Sequence, residues 1–152
     1  MFDPSSATFR LSSSPFYLIA HADFMYHDAM ERTLQRHGIT RPIYRILTVL
    51  REYQPSSVTF LADTALIKRT TVSRIVDKMS QMGLVATGQG GEDGRVTEVR
   101  MTQEGKALLD RLTPMIAKLI ARATEGISHA ELTRLVATLQ IMSANLNRSP
   151  LE

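Results

Sequence analysis

Lys68-Arg69-Thr70-Thr71-Val72-Ser73-Arg74-Ile75-Val76-Asp77-Lys78-Met79 is the stretch on which the reading of this chain turns. Val72, Ile75, Val76 and Met79 fall at i, i+3, i+4 and i+7, the spacing of one buried helical stripe. The other positions offer Lys68, Arg69, Thr70, Thr71, Ser73, Arg74 and Lys78. These are phosphate-seeking cations and short hydroxyls that can approach base edges. A helix anchored on one side and cationic-polar on the other suits a DNA major groove. Upstream, Thr59 to Leu66 reads as a shorter helix. Downstream the period changes to two, over Leu84 to Thr87 and again over Val96 to Met101, with Val99 and Met101 on one face. Ser57 to Met101 is therefore expected to form a helix–turn–helix followed by a β-hairpin. Gly88 to Arg95, holding four of the chain's eight glycines, is expected to be its flexible tip.

Charge points the same way. Between Lys68 and Gly83 four cations stand against the single carboxylate of Asp77, which accounts for the whole formal net charge of +3. The rest of the chain is near neutral. A local cationic patch on a near-neutral protein suggests a docked polyanion rather than general stickiness. At 152 residues the chain is one domain's worth, large enough to bury a real core. The absence of cysteine excludes disulfides, iron–sulfur ligation and thiolate zinc sites. The longest early apolar run, Phe16 to Ala20, ends at His21 and is too short for a secretory signal. No stretch approaches the roughly 20 apolar residues of a membrane span. A soluble cytoplasmic protein is the expectation.

Outward from the central stretch lie helices of a different character. Residues 1–13 are Ser-rich and aperiodic, and read as a flexible N-terminal arm. Ser14-Pro15 has the form of an N-cap with proline in the first turn. The helix it opens runs to about His37 and is closed by Gly38. Its apolar residues, among them Phe16, Ile19, Phe24, Met25, Met30 and Leu34, occupy more than one stripe, so it calls for two partners. A second helix opens at Thr40, carries Tyr44, Leu47 and Leu50, and stops before Pro55. Thr102 starts a long helix with Pro114 inside it, and Ser128-His129-Ala130-Glu131 is a capping-box pattern ahead of a last helix. Residues 40–101 are thus read as a winged helix-turn-helix lobe, and residues 14–38 with 102–147 as a helical dimerisation region. The expected fold class is mostly α with a small β-hairpin wing.

Taken in order, Leu61-Ala62, Thr70-Thr71-Val72-Ser73-Arg74-Ile75-Val76-Asp77-Lys78-Met79, Gly83-Leu84-Val85, Glu92-Asp93-Gly94-Arg95 and Met101-Thr102-Gln103-Glu104-Gly105 resemble the MarR family of winged-helix regulators. The match of order and spacing runs from about Thr40 to Leu112. The resemblance implies a homodimer on a pseudo-palindromic operator, most often a repressor. It also implies release by a small aromatic or phenolic ligand. The family's reading-helix roles fall on Arg69, Thr70, Thr71, Ser73 and Arg74. Its wing roles fall on Asp93, which orients the hairpin arginine, and on Arg95, which enters the minor groove. The chain departs from the family at Gly94, where a second arginine is usual, and at Thr87, Gly88 and Gln89, where basic residues are usual. From Leu84 to Met101 three carboxylates outnumber two arginines. Such a wing attracts phosphate weakly, so affinity must rest more on the reading helix.

Other constellations carry less. Asp23, His27 and Glu31 stand at i, i+4 and i+8 of the first helix, and without a fourth ligand they read as an ordinary exposed row rather than a metal site. His21 interrupts the run Tyr17-Leu18-Ile19-Ala20. With Tyr17, Phe24 and Tyr44 it is a candidate lining for a ligand pocket, and a dimer-interface histidine is the competing reading. No catalytic motif is present: Gly88-Gln89-Gly90-Gly91 is not followed by a helix, so it is no dinucleotide fingerprint. The expectation is a non-enzymatic DNA-binding regulator without cofactor or metal. A winged helix that binds protein instead of DNA is the alternative.

Overall fold

The computed structural model describes residues 3–90 and 96–147. A single 3-10 turn, Leu11–Ser13, leads into six helices and three short strands: α1 Pro15–Gln35, α2 Arg41–Glu52, β1 Ser56–Ser57, α3 Val58–Ala65, α4 Arg69–Gln81, β2 Val85–Gly90, β3 Val96–Met101, α5 Gln103–Ala123 and α6 His129–Leu146. The chain is mostly helical with one small antiparallel sheet, as the periodicities imply. Leu119 closes one compact unit and Ile120 opens a second.

Helix boundaries follow local chemistry. The Ser14 side chain accepts the Tyr17 amide at the start of α1, with Pro15 in the first helical position. Gly38, at φ +70°, turns the chain out after α1. In α2, Ile43, Ile46, Leu47 and Leu50 repeat the i, i+3, i+4, i+7 spacing and are all at most 1% exposed. Around that face pack Leu34 of α1, Leu61 of α3, Val72 and Met79 of α4, Val99 of β3, and Leu109 and Leu112 of α5. Each such side chain contributes roughly 1.5–3 kcal/mol through burial. This core holds α4 by its apolar edge.

The sheet differs from the reading of the sequence in two respects. Its order is β1-β3-β2, with β3 in the centre. β1 is an additional strand, in which Ser56 and Ser57 pair with Val99 and Glu98. Two serines carry no alternation, so periodicity is blind to them. β2 also runs further than Thr87: Gly88, Gln89 and Gly90 pair with Glu98, Thr97 and Val96. The glycines expected in a flexible tip are therefore ladder residues as far as Gly90. Backbone pairing with β3 outweighs the weak strand preference of glycine here.

One seam ties these pieces together. The Thr102 amide donates to the Leu84 carbonyl at 3.1 Å. Its hydroxyl donates to the Gly83 carbonyl at 2.6 Å and accepts the Gly105 amide at 3.1 Å. A Cβ on Gly105 would stand 2.2 Å from the Leu84 oxygen, so the first turn of α5 lies directly against the backbone that follows α4. α5 continues as helix through Pro114. In the second unit, Ser128 and Glu131 form the expected capping box at the start of α6.

Candidate nucleic-acid interface

The chain reaches α4 through a tight turn. Leu66 takes the left-handed conformation (φ 54°, ψ 48°) that closes α3. Its side chain is 81% exposed, so it gains no burial in return for a backbone strain of roughly 1–2 kcal/mol. Ile67 follows, its amide bonded to the Ala62 carbonyl at 3.0 Å, and its side chain packs against the core. Arg45 of α2 donates to the Ala65 carbonyl at 3.3 Å and so satisfies the C-terminal end of α3. The turn is thereby fixed from both sides, and α4 leaves it in a set direction. The Lys68 carbonyl accepts the Thr71 and Val72 amides. At the other end Gly83, at φ +73°, lets the Leu84 amide reach the Met79 carbonyl.

Along α4 the two faces separate cleanly. Val72, Val76 and Met79 are buried and Ile75 packs against them. Lys68, Arg69, Thr70, Thr71, Ser73, Arg74 and Lys78 are all exposed. Among the described residues none of these four cations is ion-paired with a carboxylate. The Ser73 hydroxyl donates to the Arg69 carbonyl one turn earlier. The result is a helix edge that exposes four cations and the hydroxyls of Thr70 and Thr71, and whose chemistry matches phosphate oxygens and base edges.

Of the two wing residues, Asp93 and Arg95, both lie outside the described residues. Within the strands, Glu98 is paired with Arg100 at 3.4 Å, which leaves little free charge on β3.

The four pocket candidates are placed as follows. Tyr17 and His21 stack at a ring separation of 5.8 Å, tilted by 30°. Phe24 is 69% exposed and borders a groove with Ala20, Asp23, His27, Asp28, Glu31 and Arg41. Tyr44 sits apart from that groove and packs against the core beside Tyr26. Burial pushes the phenols of both Tyr44 and Tyr26 above their ordinary range. Of the four, Phe24 is the one that lines this groove. In the Asp23–His27–Glu31 row, Asp23 and Glu31 are exposed as expected, whereas the His27 side chain is only 11% exposed. Its Nδ1 lies 3.0 Å from Asp23 Oδ2, close enough for an ion pair but outside hydrogen-bond geometry. Among the described residues no group of three such side chains is arranged to hold a metal ion, and no helix is long and apolar enough to cross a membrane.

A groove on the same side as the exposed face of α4 was not foreseen. Ser57, Val58, Thr59, Arg69, Ser73, Val96 and Thr97 line it. Four separate elements contribute, β1, α3, α4 and β3, so no local pattern announces it.

Comparison with known proteins agrees with this geometry. The family model described as "MarR family" matches residues 37–96. The chain is 35% identical over 144 residues to the HTH-type transcriptional repressor IacR of Pseudomonas putida, covering 95% of this chain and 86% of that protein. A MarR family transcriptional regulator from Silicibacter pomeroyi superposes with a TM-score of 0.85 at 26% identity, covering 96% and 99% of the two chains. CouR from Rhodococcus jostii RHA1, solved bound to p-coumaroyl-CoA, has a TM-score of 0.81 at 22% identity, with 95% and 100% covered. With its winged helix-turn-helix, its cationic α4 face and a repressor at this level of identity over nearly its whole length, the chain belongs to the MarR family of transcriptional regulators.

Proposed function

We propose that the protein is a cytoplasmic repressor that binds a pseudo-palindromic operator as a homodimer and is released by a small aromatic or phenolic effector. The observation that carries the reading is α4, whose cationic, hydroxyl-bearing face is exposed along its length while its apolar stripe is anchored in the core. Each copy places α4 in a major groove, with half-sites about one helical turn (roughly 10 bp) apart on one face of the duplex. Lys68, Arg69, Thr70, Thr71, Ser73, Arg74 and Lys78 are the contact set on α4, and Asp93 and Arg95 extend it into the wing. Two copies are needed because α1 and α6 expose apolar side chains: Phe16, Phe24 and Met25 on one, Leu135, Val136 and Ile141 on the other. Residues 14–38 and 102–147 thus form the dimerisation region, and residues 40–101 the DNA-binding lobe.

The effector binds better to a dimer whose reading helices are misspaced for the operator, and so shifts the population away from DNA. The α1 face that carries Tyr17, His21 and Phe24 is the proposed recognition surface, with Tyr44 on the neighbouring helix. CouR, whose fold is similar, was solved bound to p-coumaroyl-CoA, which supports an aromatic effector.

The test is the double variant Arg69→Ala/Arg74→Ala. Operator binding in a mobility-shift assay is expected to vanish while sedimentation still reports a folded dimer. Wild-type binding is expected to weaken by orders of magnitude between 50 and 200 mM salt, as counterion release requires. Unaltered binding by the double variant overturns the assignment of α4 as reader. A salt-insensitive complex with a protein instead would favour a protein-interaction module.

A further inference from the structure

We propose that the groove between the β1–α3 junction, α4 and β3 is a preformed seat for one backbone phosphate of the bound duplex, held by Arg69 and the hydroxyls of Ser57, Thr59 and Thr97. The inference deepens the DNA-binding reading and rests on it. It adds three residues that no reading of the sequence assigns to DNA.

The groove has a volume of about 300 Å³, several times the share of one water molecule, so it admits a polyatomic group. Among the described residues no carboxylate lines it, and Arg69 is its cation. The hydrogen-bonding state of each hydroxyl sets the polarity of the groove. Ser57 Oγ accepts the Phe60 amide at 3.1 Å, which spends a lone pair and leaves its proton to donate. Ser73 spends its proton on the Arg69 carbonyl and offers none. Thr59 and Thr97 are exposed, with their hydroxyls unengaged among the described residues. Glu98, next to Thr97 on β3, pairs with Arg100 and is absent from the lining. The seat therefore presents one cation and three hydroxyl donors from four elements, a set that complements a phosphodiester anion and repels a cationic group.

Position favours the same occupant. Arg69 and Ser73 stand one turn apart on the face of α4 that enters the major groove. A strand of the duplex backbone must then run along the flank of α4, where the seat lies. Contacts of this kind fix register and orientation and carry no sequence information. They also supply what the wing of this chain lacks, since its strands place Thr87, Gly88 and Gln89 where basic residues would otherwise hold phosphate.

The experiment compares wild type with Thr59→Val/Thr97→Val, near-isosteric changes at exposed positions that remove only hydroxyls. Binding is measured by fluorescence anisotropy on two duplexes: an operator selected from a random pool, and a duplex of fixed arbitrary sequence. The double variant is expected to bind both about tenfold more weakly, with the ratio between them preserved. Its salt slope is expected to stay at the wild-type value, because a neutral hydroxyl releases no counterion, whereas Arg69→Ala lowers the slope by about one. Single methylphosphonate substitutions scanned along the operator are expected to show one position per half-site that weakens wild type but not the double variant. Each single variant is read as well, so that a folding defect in one leaves the other informative.

Wild-type affinity of the double variant on both duplexes overturns the seat, and so does a loss confined to the operator, which would make these hydroxyls base readers. If wild type binds neither duplex, the DNA-binding reading itself fails. If Arg74→Ala loses the operator while Thr59→Val/Thr97→Val binds normally, only the seat fails.

Discussion

Helices α4 and α6 both carry apolar side chains at helical spacing, yet their fates in the folded chain are opposite. In α4, Val72 and Met79 are completely buried and Val76 nearly so. In α6 no residue is buried, and Leu135, Val136, Ile141 and Leu146 are at least half exposed. The difference is one of neighbours. α4 meets α2, α3 and β2 within its own unit, whereas in α6 Leu132, Leu139 and Met142 are only partly covered and the remaining large apolar side chains are exposed. Amphipathic spacing says that a face will be covered, and only the surrounding chain says by what. An apolar face left open by its own subunit calls for cover from outside, which is the physical basis for proposing a dimer.

The contrast can be broken most decisively at α6. Leu135→Glu with Ile141→Glu is expected to convert the dimer to a monomer in sedimentation equilibrium, while far-UV circular dichroism of the lobe persists. A dimer that survives both charges removes α6 from the interface. The matching change on the other side is Leu61→Ala, at a side chain with no exposure. It is expected to cost about 2–5 kcal/mol in denaturant unfolding, because the cavity it leaves has no solvent to fill it. A cost below about 1 kcal/mol would mean that the lobe core is loosely packed, erasing the distinction.

Two smaller effects sharpen the picture. Leu66→Gly relieves a left-handed backbone and removes an exposed apolar side chain, so stability is expected to rise by about 1 kcal/mol in chemical denaturation, reduced by the added freedom of the unfolded chain. A loss of stability would show that the leucine side chain has a partner. At α6, hydrogen bonds from the Ser128 hydroxyl and amide hold the Glu131 carboxyl below its ordinary value of 4.5. The sign follows: a group whose folded pKa is depressed contributes stability that is present above the unfolded pKa and is lost as pH falls through the folded one. Thermal melts of Ser128→Ala are expected to lie below wild type at neutral pH, with a gap that narrows in acid to the part held by the serine cap. A gap that stays constant with pH would assign the loss to the serine cap alone.

What the sequence disclosed is uneven for stated reasons. The α4 stripe and its cationic face were legible because both are periodic within one element, and the structure keeps them on opposite sides. The ends of α1 and α6 were legible because Ser14, Gly38 and the Ser128–Glu131 pair act locally. β1 was not legible, since Ser56 and Ser57 become a strand only because Val99 and Glu98 lie beside them. The extension of β2 through Gly90 was misread for the same cause: glycine has little strand preference of its own, and its pairing is set by the partner strand. Ser57, Thr59 and Thr97 are likewise brought around Arg69 by tertiary structure, with nothing in their spacing to link them. The grouping of Tyr17, His21, Phe24 and Tyr44 rests on one helix face plus a neighbouring helix; in the folded chain Tyr17 stacks on His21, and Tyr44 packs on the core beside Tyr26.

The contact of Gly105 with the Leu84 carbonyl has a mechanical meaning. Because Thr102 clasps the Gly83 and Leu84 carbonyls, and no atom separates the start of α5 from that backbone, the tail of α4 and the head of α5 move as one lever. A shift of the first turn of α5 would therefore press directly on the backbone that ends α4. Even one extra methyl group at position 105 would force the two apart.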